Sequence, residues 1–348
     1  IDTGVREGRA NIAFDAALIE ARQAGQVPDT IRFLRFPPTV LIGRHQDLSR
    51  EVNIDYCRDN DVGIVRRITG GGAIYLDEGQ LGWEIVFHRT SLGIPALPDL
   101  AREICNAAAA GLSRLGVDAK FRPRNDIEVD GRKISGTGGF FDGDVLIYQG
   151  TVLVDMNAGR IVSALRIPER KLAKRSLDSA AQRVVTLKEL LGDALPDLDA
   201  IWAALIGGFE SVLGISASAG DITDAEESLA RQFFEDEIGR DDFVAEINDP
   251  AADSDTYPGT YTGSGGTIDA FVKLEGPRSG TLQRVLFSGE FFGPPTRVVF
   301  DLEGRLAGTP IVEIDERIDS FFSDNEVGTL SVLPGDFRAA VADALGKR

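Results

Sequence analysis

The sequence predicts an α/β (α+β) protein of two domains, and three observations carry that reading. Runs rich in β-branched and aromatic residues alternate with helical periodicities along most of the chain. Asp-Pro and Asp-Ser pairs near 249–255 break the alternation. At 348 residues the chain is too long for one average domain and suits a larger and a smaller one. The expected division is residues 1–248, a linker at 249–258, and a small α+β unit at 259–348.

Taken in order, Asn11 to Ala24 places Ile12, Ala16 and Ile19 on one face of a helix, with Asn11 as its cap and Gly25 as its stop. Thr30–Phe36 and Thr39–Arg44 read as strands separated by Pro37-Pro38, which cannot sit inside a ladder. Asn53–Asn60 reads as a short helix, Leu81–His88 as a strand, and Pro98–Leu115 as an Ala-rich helix. Ala119–Arg122 and Asp126–Val129 are strands, and Asp130-Gly131 is a hairpin turn. Val145–Asp155 is a long strand, and Ala158–Leu165, Leu198–Leu213 and Ala225–Glu237 are helical. Beyond the linker, Gly266–Leu274, Thr281–Ser288 and Arg297–Asp301 alternate as strands, while Glu313–Phe322 and Pro334–Leu345 are helical.

Composition excludes several classes of function. A net charge of -18 argues against nucleic acid, because backbone binding needs a cationic face. No apolar run reaches the length that spans a bilayer, so no membrane segment is expected. Two cysteines, Cys57 and Cys105, fit a reducing compartment, and the first residues carry no leader pattern; the expected location is the cytoplasm. With only His45 and His88, a zinc cluster of His and Cys is not expected. Lysine is scarce, confined to Lys120, Lys133, Lys171, Lys174, Lys188, Lys273 and Lys347, so a lysine inside a motif carries weight.

Two motifs carry chemistry. The first runs from Arg66 to Asp77, R-R-I-T-G-G-G-A-I-Y-L-D. Its glycines can turn successive N–H groups towards one point, and Arg66 and Arg67 supply forked donors, which together suit a phosphate or carboxylate. The other reading is a Gly-rich hairpin joining strands at Gly63–Ile68 and Ala73–Leu76. The second motif runs from Asn125 to Gly136, N-D-I-E-V-D-G-R-K-I-S-G, and places Lys133 in a Gly-rich setting.

In order and separation these two motifs closely resemble those of lipoate-protein ligases. The resemblance continues through N-I-A-F-D-A-A-L at the start, P-P-T-V-L-I-G-R-H-Q at Pro37–Gln46, Q-G-T-V-L-V-D at Gln149–Asp155, and K-L-A-K-R-S with R-V-V-T-L-K-E-L-L near Lys171–Leu191. G-T-I-D-A-F-V-K and F-S-G-E-F-F resemble the accessory domain that two-domain ligases carry. The resemblance implies a catalytic domain with a mixed β-sheet of the biotin/lipoate ligase type flanked by helices, followed by that accessory domain. It implies ATP and Mg2+ as cofactors and lipoate or octanoate as substrate, joined through lipoyl-AMP to a lysine of a lipoyl carrier. The carriers implied are the glycine-cleavage H protein or an H-like relative and the lipoyl domains of 2-oxoacid dehydrogenases, and a monomer is expected.

By the same resemblance Lys133 is the catalytic residue, bridging acyl and phosphoryl oxygens, a role that suits a compact ammonium. Arg66 and Arg67 would neutralise phosphates. Thr69, Gly70, Gly71, Gly72 and Tyr75 would lie against the acyl-adenylate. Asn125 and Asp126 would hold nucleotide or metal, with Asp126 the better magnesium ligand because it offers carboxylate oxygen. Ser135, Gly136 and Thr137 would line the adenylate pocket, with Gly150 and Thr151 on the strand opposite. Lys171, Lys174 and Arg183 are weaker candidates.

The chain departs from the family at Leu76, where ligases usually carry His, and at Tyr148-Gln149, where they carry His-His; Gln80 and Gly82 replace common asparagines. These departures bear on acyl pocket and acceptor choice more than on the core reaction. Two alternatives remain: an ATP-independent octanoyl or lipoyl transferase, which would need a cysteine nucleophile, and a non-catalytic carrier-binding relative. Cys57 and Cys105 fall on expected helices away from both motifs and read as inert small hydrophobes.

Overall fold

The computed structural model describes every residue except 124, 167–182, 264, 277–278, 292–296 and 325–331. Contacts divide the chain into two units: one of Ile1–Leu41, Asn53–Val65 and Ile74–Arg240, and a second of Ile42–Val52, Arg66–Ala73 and Asp241–Arg348. The linear division at 249–258 is therefore not the division of contacts. Two short pieces of the N-terminal sequence join the second unit because their backbone groups bond within it, as Leu48 N to the Ile247 carbonyl (2.9 Å) and Gly71 N to the Phe291 carbonyl (3.0 Å). Thr256, Tyr257 and Pro258 already belong to a strand.

The first unit is built on a mixed seven-stranded sheet. In chain order its strands are β1 (Asp2–Val5), β2 (Thr30–Arg35), β6 (Gln80–His88), β7 (Lys120–Arg122), β8 (Asp126–Val129), β9 (Arg132–Asp142) and β10 (Val145–Leu153), and in space the order is β1-β2-β6-β10-β9-β8-β7. β1 runs parallel to β2, whereas the other neighbours are antiparallel. Successive side chains on a strand face opposite ways, and Trp83 and Glu84 of β6 mark the two faces. Trp83 stacks edge-on with Phe209 of helix Leu198–Leu213 (5.2 Å), and helix Leu97–Ser113 lies on the same face through Cys105. Glu84 faces helix Gly8–Gln23, where Arg32 joins it to Asp15.

β3 (Thr39–Ile42), β4 (Gly63–Arg66) and β5 (Ile74–Leu76) form a separate three-stranded sheet in the order β4-β3-β5. Since β3 lies between β4 and β5, the Gly-rich segment that joins them is a crossover and not a hairpin turn. Asp130 and Gly131 both take positive φ, 50° and 75°, and make the tight turn between β8 and β9 that Asp-Gly signals.

In the second unit β11 (Thr256–Gly263), β12 (Gly266–Leu274) and β13 (Leu282–Gly289) form an antiparallel sheet. Its buried face includes Ile268, Ala270, Val272, Val285 and Phe287, covered by apolar residues of helices Arg297–Leu306, Ile314–Asp324 and Pro334–Leu345. Arg297–Asp301, expected as a strand, is the first half of a helix. Its buried positions Val299, Leu302 and Leu306 show helical spacing only when read through to Leu306.

Candidate active site

Lys133 owes its direction to an irregularity in β9. Glu128 of β8 pairs with Lys133 and Ile127 pairs with Ser135, so Ile134 is an extra residue, a β-bulge. Beyond the bulge Asp126 pairs with Gly136, which returns Asp126, Gly136 and Lys133 to one face. There the Lys133 ammonium ion-pairs with Asp126 Oδ1 at 2.5 Å, the two side chains being 39% and 26% exposed. A Cβ at Gly136 would stand 2.7 Å from Lys133 Nζ and 2.8 Å from Cε, so the lysine lies across bare backbone. Three of the expected site residues therefore meet.

Asn125 closes the end of this pair of strands. Its Nδ2 donates to the Thr137 carbonyl (2.7 Å), and its own carbonyl accepts from Thr137 N (2.8 Å) and Oγ1 (3.1 Å). At the other end Lys133 N donates to the Arg183 carbonyl (2.8 Å) and Val185 N to the Lys133 carbonyl (2.9 Å). Arg183 thus meets the lysine through its backbone; Lys171 and Lys174 lie outside the described residues.

The side chains of Ser135 and Thr137 point to the opposite face, buried beneath helix Leu97–Ser113. The bulge is what places them on the face opposite Lys133 and Gly136. Gly150 pairs with Thr137 on β9 and with Trp83 on β6, and a Cβ there would stand 2.2 Å from the Trp83 ring, so its bareness serves the indole. Thr151, half-buried, pairs with Gly82.

In the second unit the Gly-rich loop differs from the expected anion cradle. Arg66 is fully buried, and its guanidinium donates to the carbonyls of Gly43, Arg44, Gln46, Phe243, Val244 and Ile247 at 2.7 to 3.3 Å. Arg67, also buried, donates from one nitrogen to the Gly70 (2.7 Å) and Gly72 (2.9 Å) carbonyls and draws the loop closed. Burial pulls both guanidinium groups down to about 10. Gly71 takes φ 92° and donates its N–H to Phe291, and a Cβ on Gly43 would stand 2.0 Å from the Gly71 carbonyl. Gly72 has the Glu290 side chain beside it. Thr69 is buried, its carbonyl accepting from Arg44 N (2.9 Å). Tyr75 lies in β5 opposite Val40, its phenol pushed up by burial.

Two of the family-divergent positions, Gln149 and Tyr148, sit in packed networks. Gln149 Nε2 donates to Asp15 Oδ2 (2.7 Å) and Glu84 Oε2 (2.8 Å), while Arg32 bonds the other oxygen of each acid. Burial first, and Glu84 second, push the Asp15 carboxyl well above its usual range. A charged residue within each of the apolar strands T-I-R-F-L-R and L-G-W-E-I-V-F-H is the signal in sequence that such a pairing exists. Tyr148 faces the other way, its hydroxyl 2.8 Å from Thr137 Oγ1. Leu76 is buried in β5.

Neither thiol is activated. Cys57 is buried near the Ala164 carbonyl (3.9 Å), and desolvation pushes it to about 11. Cys105 is not remote from the second motif as expected: its Sγ lies 3.2 Å from Thr137 Oγ1 and 3.4 Å from the Tyr148 hydroxyl, with burial raising its pKa.

A mixed sheet with helices on both faces thus carries Lys133 across the bare backbone of Gly136 on β9. Residues 7–210 match the lipoyl protein ligase A/B catalytic domain, and the chain belongs to that family of lipoate-protein ligases and octanoyltransferases. It is 31% identical over 270 residues to octanoyltransferase LipM of Symbiobacterium thermophilum, covering 70% of this chain and 96% of that one. Its fold matches the bi-partite lipoate protein ligase of Thermoplasma acidophilum, solved in a study of that ligase and its E2 lipoyl domain, with TM-score 0.62, 26% identity, and 70% and 95% of the two chains covered. A lipoate-protein ligase A bound with ATP matches with TM-score 0.61 and 26% identity, over 71% of this chain and 97% of that one.

Proposed function

We propose that this protein is an ATP-dependent ligase that activates lipoate or octanoate as acyl-AMP and passes the acyl group to a lysine of a lipoyl carrier. The observation that carries this reading is Lys133, held over Gly136 by Asp126 on the face turned away from both Cys105 and Thr137. Joining a carboxylate to the α-phosphate brings two anions together, and a positioned ammonium offsets their repulsion. In the first step a carboxylate oxygen of the acid bonds to the α-phosphorus, and the bond to pyrophosphate breaks. In the second the acceptor amine bonds to the acyl carbon, loses a proton, and AMP leaves. Lys133 would shift from Asp126 to the oxygens shared by both steps.

Magnesium is tested by the donor set. Among the described residues no three His, Cys, Asp or Glu gather into a metal cage. A single carboxylate at Asp126 fits the way magnesium is usually shared between one or two carboxylates and substrate phosphates, and the bound ion would lower the charge on those phosphates. Lipoyl domains, as in the Thermoplasma system, and H-type carriers suit the acceptor role.

The transferase reading has support of its own, in the likeness to octanoyltransferase LipM and in the contact between Cys105 and Thr137. It requires a thiolate, and the sequence offers only Cys57 and Cys105, both buried and raised by desolvation. The test is pyrophosphate release from lipoate, ATP and Mg2+, with AMP release from preformed lipoyl-AMP plus carrier. Lys133→Ala is expected to lose at least about a hundredfold in each step, and the double variant Cys57→Ser, Cys105→Ser to stay within about threefold of the parent. Acyl transfer from a carrier thioester without ATP, abolished in the double variant, would replace the ligase reading with the transferase one.

A further inference from the structure

We propose that Tyr148 is a positioning residue for the Lys133–Asp126 pair, acting through Thr137 and Asn125; this rests on Lys133 being the reacting group. The protons fix the direction of the connection. The Asn125 carbonyl can only accept, so Thr137 Oγ1 spends its one hydrogen there (3.1 Å). The contact of 2.8 Å between Thr137 Oγ1 and the Tyr148 hydroxyl must then be donated by the phenol. Burial raises the Tyr148 phenol well above its usual range, so it keeps the proton that it donates. Tyr148 O–H to Thr137 O–H to the Asn125 carbonyl is a one-way chain, of the kind in which each bond polarises the next.

The far end of the chain bears on the site. Asn125 immediately precedes Asp126, whose carboxylate holds the Lys133 ammonium at 2.5 Å, and Asn125 Nδ2 returns to the Thr137 carbonyl at 2.7 Å. Thr137 is the residue after Gly136, over which the lysine lies. Both backbones that flank Lys133 are therefore tied to one hydroxyl, and Tyr148 orients that hydroxyl from the buried face. Cys105 touches the same two hydroxyls but has no bond to Asn125, so it packs the junction without linking it.

The test compares Tyr148→Phe, Thr137→Val, their double variant, Thr137→Ser and Cys105→Ala, reading the single-turnover rate of acyl-AMP formation and KM for lipoate and ATP. Tyr148→Phe and Thr137→Val are each expected to lower the rate about tenfold with KM within about twofold, because displacement of a positioned group costs turnover more than binding. The double variant should lose no more than either single one, Thr137→Ser should recover the parent rate, and Cys105→Ala should leave it unchanged. Losses that multiply in the double variant, an unchanged Tyr148→Phe, or a KM-only effect would overturn the proposal. If the parent forms no acyl-AMP, the ligase reading fails, and the same variants are read in octanoyl transfer from an acyl-carrier thioester. There the same pattern among the Tyr148 and Thr137 variants, with Cys105→Ala left out because transfer needs a thiolate, supports the positioning role, and its absence overturns it.

Discussion

Arg66 and Lys133 are both cations beside glycine in a motif, and the structure gives them opposite work. Lys133 keeps its ammonium partly exposed against a single carboxylate, whereas the Arg66 guanidinium is enclosed by backbone carbonyls of two separate segments. An unpaired buried carbonyl costs about 1 to 3 kcal/mol, so Arg66→Ala is expected to destabilise the protein by roughly 3 to 5 kcal/mol. Arg66→Lys should recover little of this, because one ammonium cannot reach carbonyls arranged for a planar fork. Thermal and urea unfolding measure the loss; a stable Arg66→Ala with weakened ATP binding would instead restore the phosphate role expected from the sequence. The motif made the residue types legible, but not the partners of the arginine. Those carbonyls come from Gly43–Gln46 and, far along the chain, from Phe243–Ile247, and a carbonyl is common to every residue. Gln149 and Tyr148 were likewise legible as departures, but only strand register shows that one meets two acids and the other a hydroxyl.

At the scale of elements, what could be read was whatever its own residues determine. The β10 and β12 strands, the Asp-Gly turn and the long helices fall close to expectation, since each is set by local periodicity or turn chemistry. β1 was missed because D-T-G-V has little strand character of its own, and its pairing to β2 comes from bonds such as Phe33 N to the Ile1 carbonyl (2.9 Å). β11 begins inside the expected linker and contains Pro258 and Gly259, yet it is an edge strand where proline is tolerated, and helix Pro334–Leu345 packs on the bare Gly259 backbone. The bulge at Ile134 is equally silent in the sequence, because it depends on how β8 is registered against β9. It gives Gly136 its function, and this is testable. The nearest atom to an added Cβ is the mobile end of Lys133 and not backbone, so Gly136→Ala should fold normally and push the ammonium off Asp126. Activity is expected to fall by about a hundredfold with a change in melting temperature below about 3 °C. An active Gly136→Ala enzyme would show that the lysine works from another position.

For the molecule as a whole, length and the break near 249–255 predict two domains in linear succession, whereas contacts group the chain into a discontinuous second unit whose last segment begins at Asp241. Its inclusion of Ile42–Val52 and Arg66–Ala73 rests on tertiary bonds of the kind Arg66 makes. That unit also contains an acid whose titration reports on its stability. The Glu303 carboxyl is pushed up to about 8, chiefly by desolvation; the Phe287 N–H (2.6 Å) and Arg44 act against the rise, and Glu246 adds to it. Arg44 is itself ion-paired with Glu246 and stacked on Phe243 and Phe300. The sign follows from proton binding. Between the ordinary glutamate value of 4.5 and about 8 the folded state holds more protons at Glu303 than the unfolded state does. Stability from this group is thus complete below 4.5 and is lost as pH rises through about 8. Melting temperature is expected to fall between pH 6 and pH 9, and Glu303→Gln, which keeps an acceptor for Phe287 N without a titrating group, should flatten that fall and stabilise the protein at pH 9 by on the order of 2 kcal/mol. Asp15, raised in the same direction within the other unit, leaves some slope in the variant. Calorimetry of the parent and Glu303→Gln across this range decides the matter: parallel pH profiles would mean that Glu303 is ionised in the folded protein and that the second unit does not depend on its proton.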